Sequence, residues 1–520
     1  MPRWRTGIRR WKEIVGSENV RTDELSLKLY GKNVSGFQRD IPAILLPRDT
    51  DEIQRIVAVA NENRTPLYPI SSGRNWGLGS RLPVTDGCAI VDLSRMNRIR
   101  EINEESAYTV IETGVTQGQL HDTLKERGYA LMLDTTGSGR DTSIIGNALE
   151  KGVGYFGLRF ESLSGLEVVL GNGKLLTTGF GHYPHARTTH LYKYGVGPSL
   201  DGLFAQGNFG IVTAAGIELL PANHSHVAFI CGIKTTDKLP ELIEDLVKLR
   251  RDNVIRTIVH IANKDRTRST LEPRVHEYLS GQGADLSGLV EQVFRGFGEW
   301  SAVGALRGPL SLVEAEQREL DSRLRNSDRT LVFLTDETFE NPGQLDSAQR
   351  TLLYAVEPFY GLTKGTPTDE ALKSVTWPIE GVPENFRDLD QTRGGLLYCL
   401  PIIPARARDV ERVYSIVQQV FGKYNFIPYI TLNLLNNRSL EGVINLSFDR
   451  SNFAHVREAH ACIDELTTAL IQEGYPPYRV SIEGTKTIVQ PNDVYWQTVR
   501  DLKKILDPKN TIAPGRYNIM

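Results

Sequence analysis

The residues best suited to chemistry near the start of this chain form a turn of small side chains and glycines: Pro69, Ile70, Ser71, Ser72, Gly73, Arg74, Asn75, Trp76, Gly77, Leu78 and Gly79. Glycine lets a ligand approach the main chain closely, and consecutive turn amides form a concave nest that holds anions. The anion that suits such a nest is the pyrophosphate of a dinucleotide; the plainer reading is a glycine-rich surface loop. Residues 131–155 and 201–213 are marked by glycine in the same way. The first runs into Gly152, Gly154 and Gly157, a formal G-x-G-x-x-G. A Rossmann fingerprint must follow a strand and open a helix. Here a helix-like stretch, 144–151, precedes it and no helical stripe follows, so a Rossmann turn is excluded. The segment reads instead as a second small-residue wall against a flat ligand.

Toward the other end, Tyr478 and Arg479 place a phenolic hydroxyl beside a guanidinium. Together such groups can hold an oxyanion, although an isolated Tyr-Arg pair equally suits a surface hairpin. Arg516 closes an Ala-Pro-Gly-Arg run, where the plain reading is a C-terminal surface charge. The four cysteines lie far apart with no CxxC spacing, so neither a metal site nor a disulfide framework is expected.

The elements that must carry these residues follow from pattern. Thr50 is expected to cap a helix over 51–63, with Ile53, Ile56, Val57 and Ala60 on one face. Residues 88–92 and 108–112 read as strands, and Thr116 as the cap of a helix carrying Leu120 and Leu124. Residues 166–178 read as a hairpin about an Asn-Gly turn, and a strand is expected up to Leu220. From about 226 to 474 glycine clusters thin out. Strands at 255–261, 331–334, 396–403, 429–434 and 443–448 alternate with amphipathic helices such as 239–250 and 406–421, and 361–393 reads as an extended loop. A helix over 494–506 precedes the tail.

The chain has 520 residues and a formal charge of −3, which argues for two or three domains and gives no electrostatic case for nucleic acid. Its cysteine usage suits a reducing, cytoplasmic setting. The basic first thirteen residues lack the apolar core of a secretory signal, and no apolar run is long enough to span a bilayer.

Taken in order, PISSGRNWGLG (69–79), TGSGRDTSIIGNALEKGVGY (136–155), GLEVVLGNGKLLTTG (165–179), DGLFAQGNFGIVT (201–213) and DPKNTIAPGR (507–516) resemble the vanillyl-alcohol oxidase / p-cresol methylhydroxylase flavoprotein family. The resemblance implies an α+β fold. An FAD-binding domain would be made from both ends of the chain, 1–225 and 475–520, with a cap domain built on an antiparallel sheet over 226–474. It implies hydride transfer from the benzylic carbon of a para-substituted phenolate to flavin N5, after which a quinone methide takes up water or loses a proton. Carried over residue by residue, the cofactor-binding positions are Pro69 through Asn75, Leu78, Gly79, Thr136, Gly137, Ser138, Asp141, Thr142, Ile145, Gly146, Asn147, Gly152, Gly154, Tyr155, Gly207, Gly210, Ile211, Val212 and Arg516. Tyr478 and Arg479 would hold the phenolate.

The chain departs from the family at several points. Leu78 stands where a second phenolate-binding tyrosine is usual, and Ser138 where the oxidase branch has a catalytic aspartate, with Asp141 nearby. Neither the histidine nor the tyrosine that tethers FAD in the two branches has a counterpart: Leu440-Glu441-Gly442 and the loop 377–393 stand there, and Asn75 replaces the histidine of other flavoproteins. Noncovalent FAD is therefore expected. Glu441 is the candidate base because it falls near a family histidine, and Tyr429 falls near a family glutamate; turn composition reads Glu441 instead as a solvent-facing charge ahead of a strand. The functions this leaves are oxidation of a 4-substituted phenol, oxidation of a non-phenolic alcohol or natural-product intermediate, or a flavin-binding scaffold without turnover. The expected partners are a small aromatic substrate, dioxygen or a carrier protein as electron acceptor, and a second copy of the chain in a homodimer, with no nucleic acid and no membrane.

Overall fold

The computed structural model describes residues 3–280 and 286–519. Its first layer is a small sheet in which Leu67–Ile70, Ala89–Asp92 and Ile44–Leu45 run parallel, edged by Val20–Arg21. Helix Thr50–Asn63 covers it, burying Ile53, Ile56, Val57 and Ala60. The cap of this helix is Asp49 rather than Thr50: the Asp49 carboxylate accepts the amide of Glu52 at 2.9 Å. A carboxylate also suits the positive end of the helix better than a hydroxyl does. The basic N-terminal segment forms helix Arg3–Val15, whose Trp11 is fully buried and donates to the carbonyl of Ile56.

A second, antiparallel sheet runs in the order Ile99–Asn103, Tyr108–Glu112, Gly210–Glu218, Leu163–Leu170, Leu175–Thr177. The Asn-Gly hairpin stands as expected, with Val169 opposite Leu175. Helix Gln117–Glu126, capped by Thr116, and the short helix Ile144–Leu149, capped by Ser143, pack against this second sheet.

The third sheet forms the cap. Among the described residues it has eight strands, all antiparallel, in the order Arg329–Leu334, Ser225–Ile233, Trp300–Gly308, Val259–Asn263, Tyr429–Leu434, Ser439–Asp449, Gly394–Cys399, with Ile402–Pro404 beside Ser439–Asp449. Side chains alternate between its faces, as a strand requires. Phe229, Ile261, Ala302, Leu432 and Ile444 pack into one core with the outer helices Leu239–Arg251, Leu310–Leu324, Ala407–Tyr424 and Phe453–Gln472. Their neighbours Ile230, His260, Val303, Asn433 and Val443 face the opposite way, toward a cavity. The α+β reading with an antiparallel cap therefore holds.

Four expectations need correction. The strand placed at 255–261 is Val259–Asn263, and the one placed at 396–403 is broken into Gly394–Cys399 and Ile402–Pro404. The stretch 361–393 is not a continuous loop: it contains helix Lys373–Glu380, which tolerates Pro378 near its end. The last strand begins at Ser439 and not at Val443, because Leu440 is a core residue paired with Leu434. That shift puts Glu441 inside the sheet. No helix of the described residues is long and apolar enough to cross a membrane.

Candidate active site

Two connected hollows lie where the cap meets the first two sheets. The smaller, about 180 Å³, is lined by Pro69, Ile70, Ser71, Ser72, Gly73, Arg74, Asn75, Thr142, Gly146, Asn147, Gly207, Gly210, Ile211 and Val212. The larger, about 390 Å³, carries Leu78, Thr136, Gly137, Ser138, Gly152, Gly154, Tyr155, Glu441 and Tyr478. Arg74, Asn75, Asn147 and Arg479 border both.

Four candidate positions border neither hollow. Gly79 packs on Ile482, which a Cβ would meet at 2.6 Å. Asp141 points outward and pairs with Arg74 at 3.3 Å. Ile145 belongs to the core under the second sheet. Arg516 is buried rather than a surface charge, bonded to Glu150 at 3.2 Å, to the carbonyl of Val480 and to the Tyr517 hydroxyl.

The walls of the smaller hollow are built to bring main chain close to a ligand. Gly73 takes φ +70°, and among the described residues the amides of Gly73, Arg74 and Asn75 find no acceptor in the chain. A methyl at Gly146 would stand 2.2 Å from Ser71 Oγ, and one at Gly207 1.8 Å from the carbonyl of Leu203. The 152–157 turn is held by Asp134, which accepts the amides of Tyr155 and Phe156 at 2.8 and 3.2 Å. Burial pushes this carboxyl up to about 6.

The cap contributes a row of polar side chains set by strand register. His260 lies directly opposite Asn433, and Asn433 directly opposite Glu441, on three adjacent strands. Facing residues of neighbouring strands stand within contact of each other. His260 Nδ1 donates to Asn433 Oδ1 at 2.7 Å, and Asn433 Nδ2 donates to Glu441 Oε2 at 2.8 Å. The chain then brings Tyr478 to the end of the row. Ile402, opposite Glu441, donates its amide to the carbonyl of Pro476, and the amide of Tyr478 bonds the carbonyl of Leu400. The Tyr478 hydroxyl donates to Glu441 Oε1 at 2.5 Å. Arg479 turns to the other side, donating to Asn75 Oδ1 at 2.5 Å and pairing with Glu150 at 3.4 Å.

Burial dominates the electrostatics of this row. It raises the Glu441 carboxyl above its ordinary value, against the hydrogen bonds from Asn433 and Tyr478 and the charge of Arg479. It raises the Tyr478 phenol far above its own, helped by the Glu441 charge and opposed by Arg479. It pushes His260 down to about 4, so the imidazole is neutral near pH 7. Buried His260 Nε2 has no protein partner among the described residues, and its ring lies 4.7 Å from that of Tyr155.

Residues 41–179 match the family described as FAD binding domain. Over 98% of this chain and 96% of the relative, the sequence is 32% identical to the 1'-carboxy-chondrochloren decarboxylase of Chondromyces crocatus. It is 28% identical to the 4-cresol dehydrogenase [hydroxylating] flavoprotein subunit of Pseudomonas putida, over 98% of this chain and 95% of that one. The structure superposes on substrate-bound p-cresol methylhydroxylase with a TM-score of 0.85 at 27% identity, covering 99% and 97% of the two chains. The chain belongs to the p-cresol methylhydroxylase type of FAD-linked oxidases. Like other members of this family it is an FAD-dependent oxidoreductase. The glycine walls and free amides of the smaller hollow fit the cofactor: Ser71 through Asn75 would take its pyrophosphate, and Gly146, Gly207 and Gly210 would line its path.

His260, Asn433, Asp134 and Tyr398 were not singled out in the sequence. Tyr398 lines the cavity against Gly77, where a Cβ would stand 2.6 Å from its ring. Its phenol can supply the hydroxyl that Leu78 lacks. The resemblance pointed to Glu441, but Asn433 had only strand alternation as a signal, and its pairing with Glu441 depends on where the last strand begins.

Proposed function

We propose that this enzyme oxidises a 4-substituted phenol at its benzylic carbon, with residues 1–225 and 475–520 holding FAD and 226–474 forming the cap. The observation that carries this reading is the hydrogen bond from Tyr478 to Glu441 in the wall of the cavity. Because Tyr478 gives its proton to Glu441, its oxygen is left with lone pairs for an incoming phenol. A phenol O–H placed there passes its proton to Tyr478 as Tyr478 passes its own to Glu441. The phenolate that results is held by the Tyr478 hydroxyl, with Arg479 beside it to offset the charge. Asn433 fixes the second Glu441 oxygen, and His260 fixes Asn433. Bound FAD supplies the hydride acceptor.

The test is anaerobic addition of 4-alkylphenols and 4-hydroxybenzyl alcohols to the purified holoenzyme. Bleaching of the flavin band is expected; a yellow protein that no member of the panel bleaches overturns the phenol reading. Admitting air to a bleached sample then separates dioxygen from a carrier protein as acceptor. FAD is noncovalent in this proposal, so acid precipitation should leave the flavin in the supernatant; yellow colour in the pellet would count against it. A homodimer is the expected assembly.

A second reading, oxidation of a larger natural-product intermediate, is favoured by the reach of the cavity into the cap. Its wall there is formed by Ile230, Leu271, Phe297, Leu334, Val356 and Phe359, all apolar. Such a wall suits a substrate with an apolar arm.

A further inference from the structure

The polar row between Glu441 and His260 leaves one charged group in the cavity unused. Arg266 stands in the first turn of helix Lys264–Ser280 and lines the larger hollow. Its amide is fixed by Asn263 Oδ1 at 3.0 Å. Among the described residues its guanidinium gives one protein hydrogen bond, from Nη1 to Ser374 Oγ at 3.0 Å. Ser374 is itself oriented, since its hydroxyl donates to the carbonyl of Ala371 at 2.7 Å and so presents a lone pair to the arginine. Among the described residues Arg266 forms no ion pair, whereas Arg268 on the same helix pairs with both Glu272 and Glu291. Among the described residues the ionisable groups that act on Arg266 are the phenols of Tyr398, Tyr155 and Tyr429, and no carboxylate is paired with it.

A guanidinium drawn into a largely enclosed cavity without an anion is an unfavourable arrangement, and proteins ordinarily complete it. Burial accordingly works against the charged form of Arg266. What is missing must come through the cavity. The free edge of the fork, Nε and Nη2, has the geometry of bidentate carboxylate recognition. Tyr398, Arg266 and Arg479 line the same cavity, and both arginines lower the Tyr398 phenol against the effect of burial. An anion on Arg266 would therefore share the cavity with the oxygen proposed to bind at Tyr478.

We propose that Arg266 receives a carboxylate carried by the substrate, so that the enzyme takes an aromatic acid rather than a neutral phenol. The ring lies toward Tyr478, as in the function proposed above, on which the placing of the ring rests. The acid group lies against the Arg266 fork, clear of the apolar wall formed by Phe297, Leu334, Val356 and Phe359.

The experiment is calorimetric titration of dithionite-reduced holoenzyme, which cannot turn a phenol over. The ligands are 3-(4-hydroxyphenyl)propanoate, its methyl ester, and 3-phenylpropanoate, which lacks the phenol. The acid should bind at least about tenfold tighter than the ester. Arg266→Met should erase that gap while leaving the ester within about twofold, and Arg266→Lys should keep part of it. An acid that binds no tighter than its ester, or a gap that survives in Arg266→Met, overturns the proposal. Should Arg266→Met fail to retain flavin, the wild-type comparison of acid with ester decides alone. Arg266-dependent binding of 3-phenylpropanoate, with no phenol bleaching the oxidised enzyme, would sink the phenol reading and leave the carboxylate site standing. Bleaching by neutral phenols with no preference for the acid would do the reverse.

Discussion

Glu441 has one oxygen on Tyr478, the other on Asn433, and almost no solvent. Its raised carboxyl must be ionised to accept a proton, so flavin reduction should decline as pH falls through that raised value. Glu441→Gln should remove this acid limb and slow reduction by about 10²–10⁴-fold, read by stopped flow. The same shift bears on stability in a fixed direction. The folded chain holds this proton where the unfolded chain has lost it. Its stabilisation is therefore complete below the ordinary glutamate value and lost as pH rises through the raised one. Glu441→Gln should thus stabilise the protein at pH 7 by about 1 kcal/mol, a gain that vanishes near pH 4. Denaturant melts at the two pH values check this. Arg479→Lys keeps the charge but not the fork that spans Asn75 and Glu150. A loss of roughly 10²-fold in the rate of flavin reduction is expected, and wild-type turnover would count against phenolate binding. The Tyr-Arg pair was legible from the resemblance. The Glu441 environment was not, because register decides it and register depends on a partner strand far away in sequence.

At the scale of elements, the glycine-rich segments were legible because turn chemistry is local: a left-handed φ at Gly73 or Gly173 needs glycine whatever surrounds it. Strands Ser225–Ile233 and Trp300–Gly308 have no counterpart among the expected strands; nearly every residue of both is buried, so neither shows an alternating pattern. Residues 361–393 misled for a different reason. Their prolines and glycines are real turn signals, but tertiary bonds organise them. Asp390, fully buried, accepts the amide of Val34 at 2.8 Å, the Ser80 hydroxyl at 2.8 Å and Arg81 at 3.0 Å. It ties the end of the glycine turn to the cap. Asp390→Ala would leave Arg81 buried with only Asp388, and a destabilisation of about 3 kcal/mol in urea unfolding is expected. Flavin affinity should weaken with it, because the turn is anchored at that point.

Across the whole molecule, the site exists only where three sheets and the C-terminal tail meet, so cofactor and fold are linked. FAD should raise the melting temperature in a concentration-dependent way, by about 2.7 kcal/mol of stability at a hundredfold excess over Kd. A melting temperature independent of added FAD in the apoprotein would contradict this. The tail is part of that linkage. Leu67 gives its amide to the carbonyl of Thr511 at 2.7 Å and accepts the amide of Ala513 at 2.7 Å, so the tail lies beside the strand that leads into the glycine turn. Lys503 and Asp507, a buried pair at 2.7 Å, hold it there: Asp507 takes the amides of Thr511 and Ile512, and Lys503 takes the carbonyl of Ile512. This arrangement imposes an order on biosynthesis. At about 5–20 residues per second, strand Leu67–Ile70 leaves the ribosome roughly 20–90 seconds before the segment that closes its open edge. For that interval the nascent chain presents an unpaired strand and a half-built nest, and the vitamin-derived cofactor can be locked in only after translation of the tail is complete.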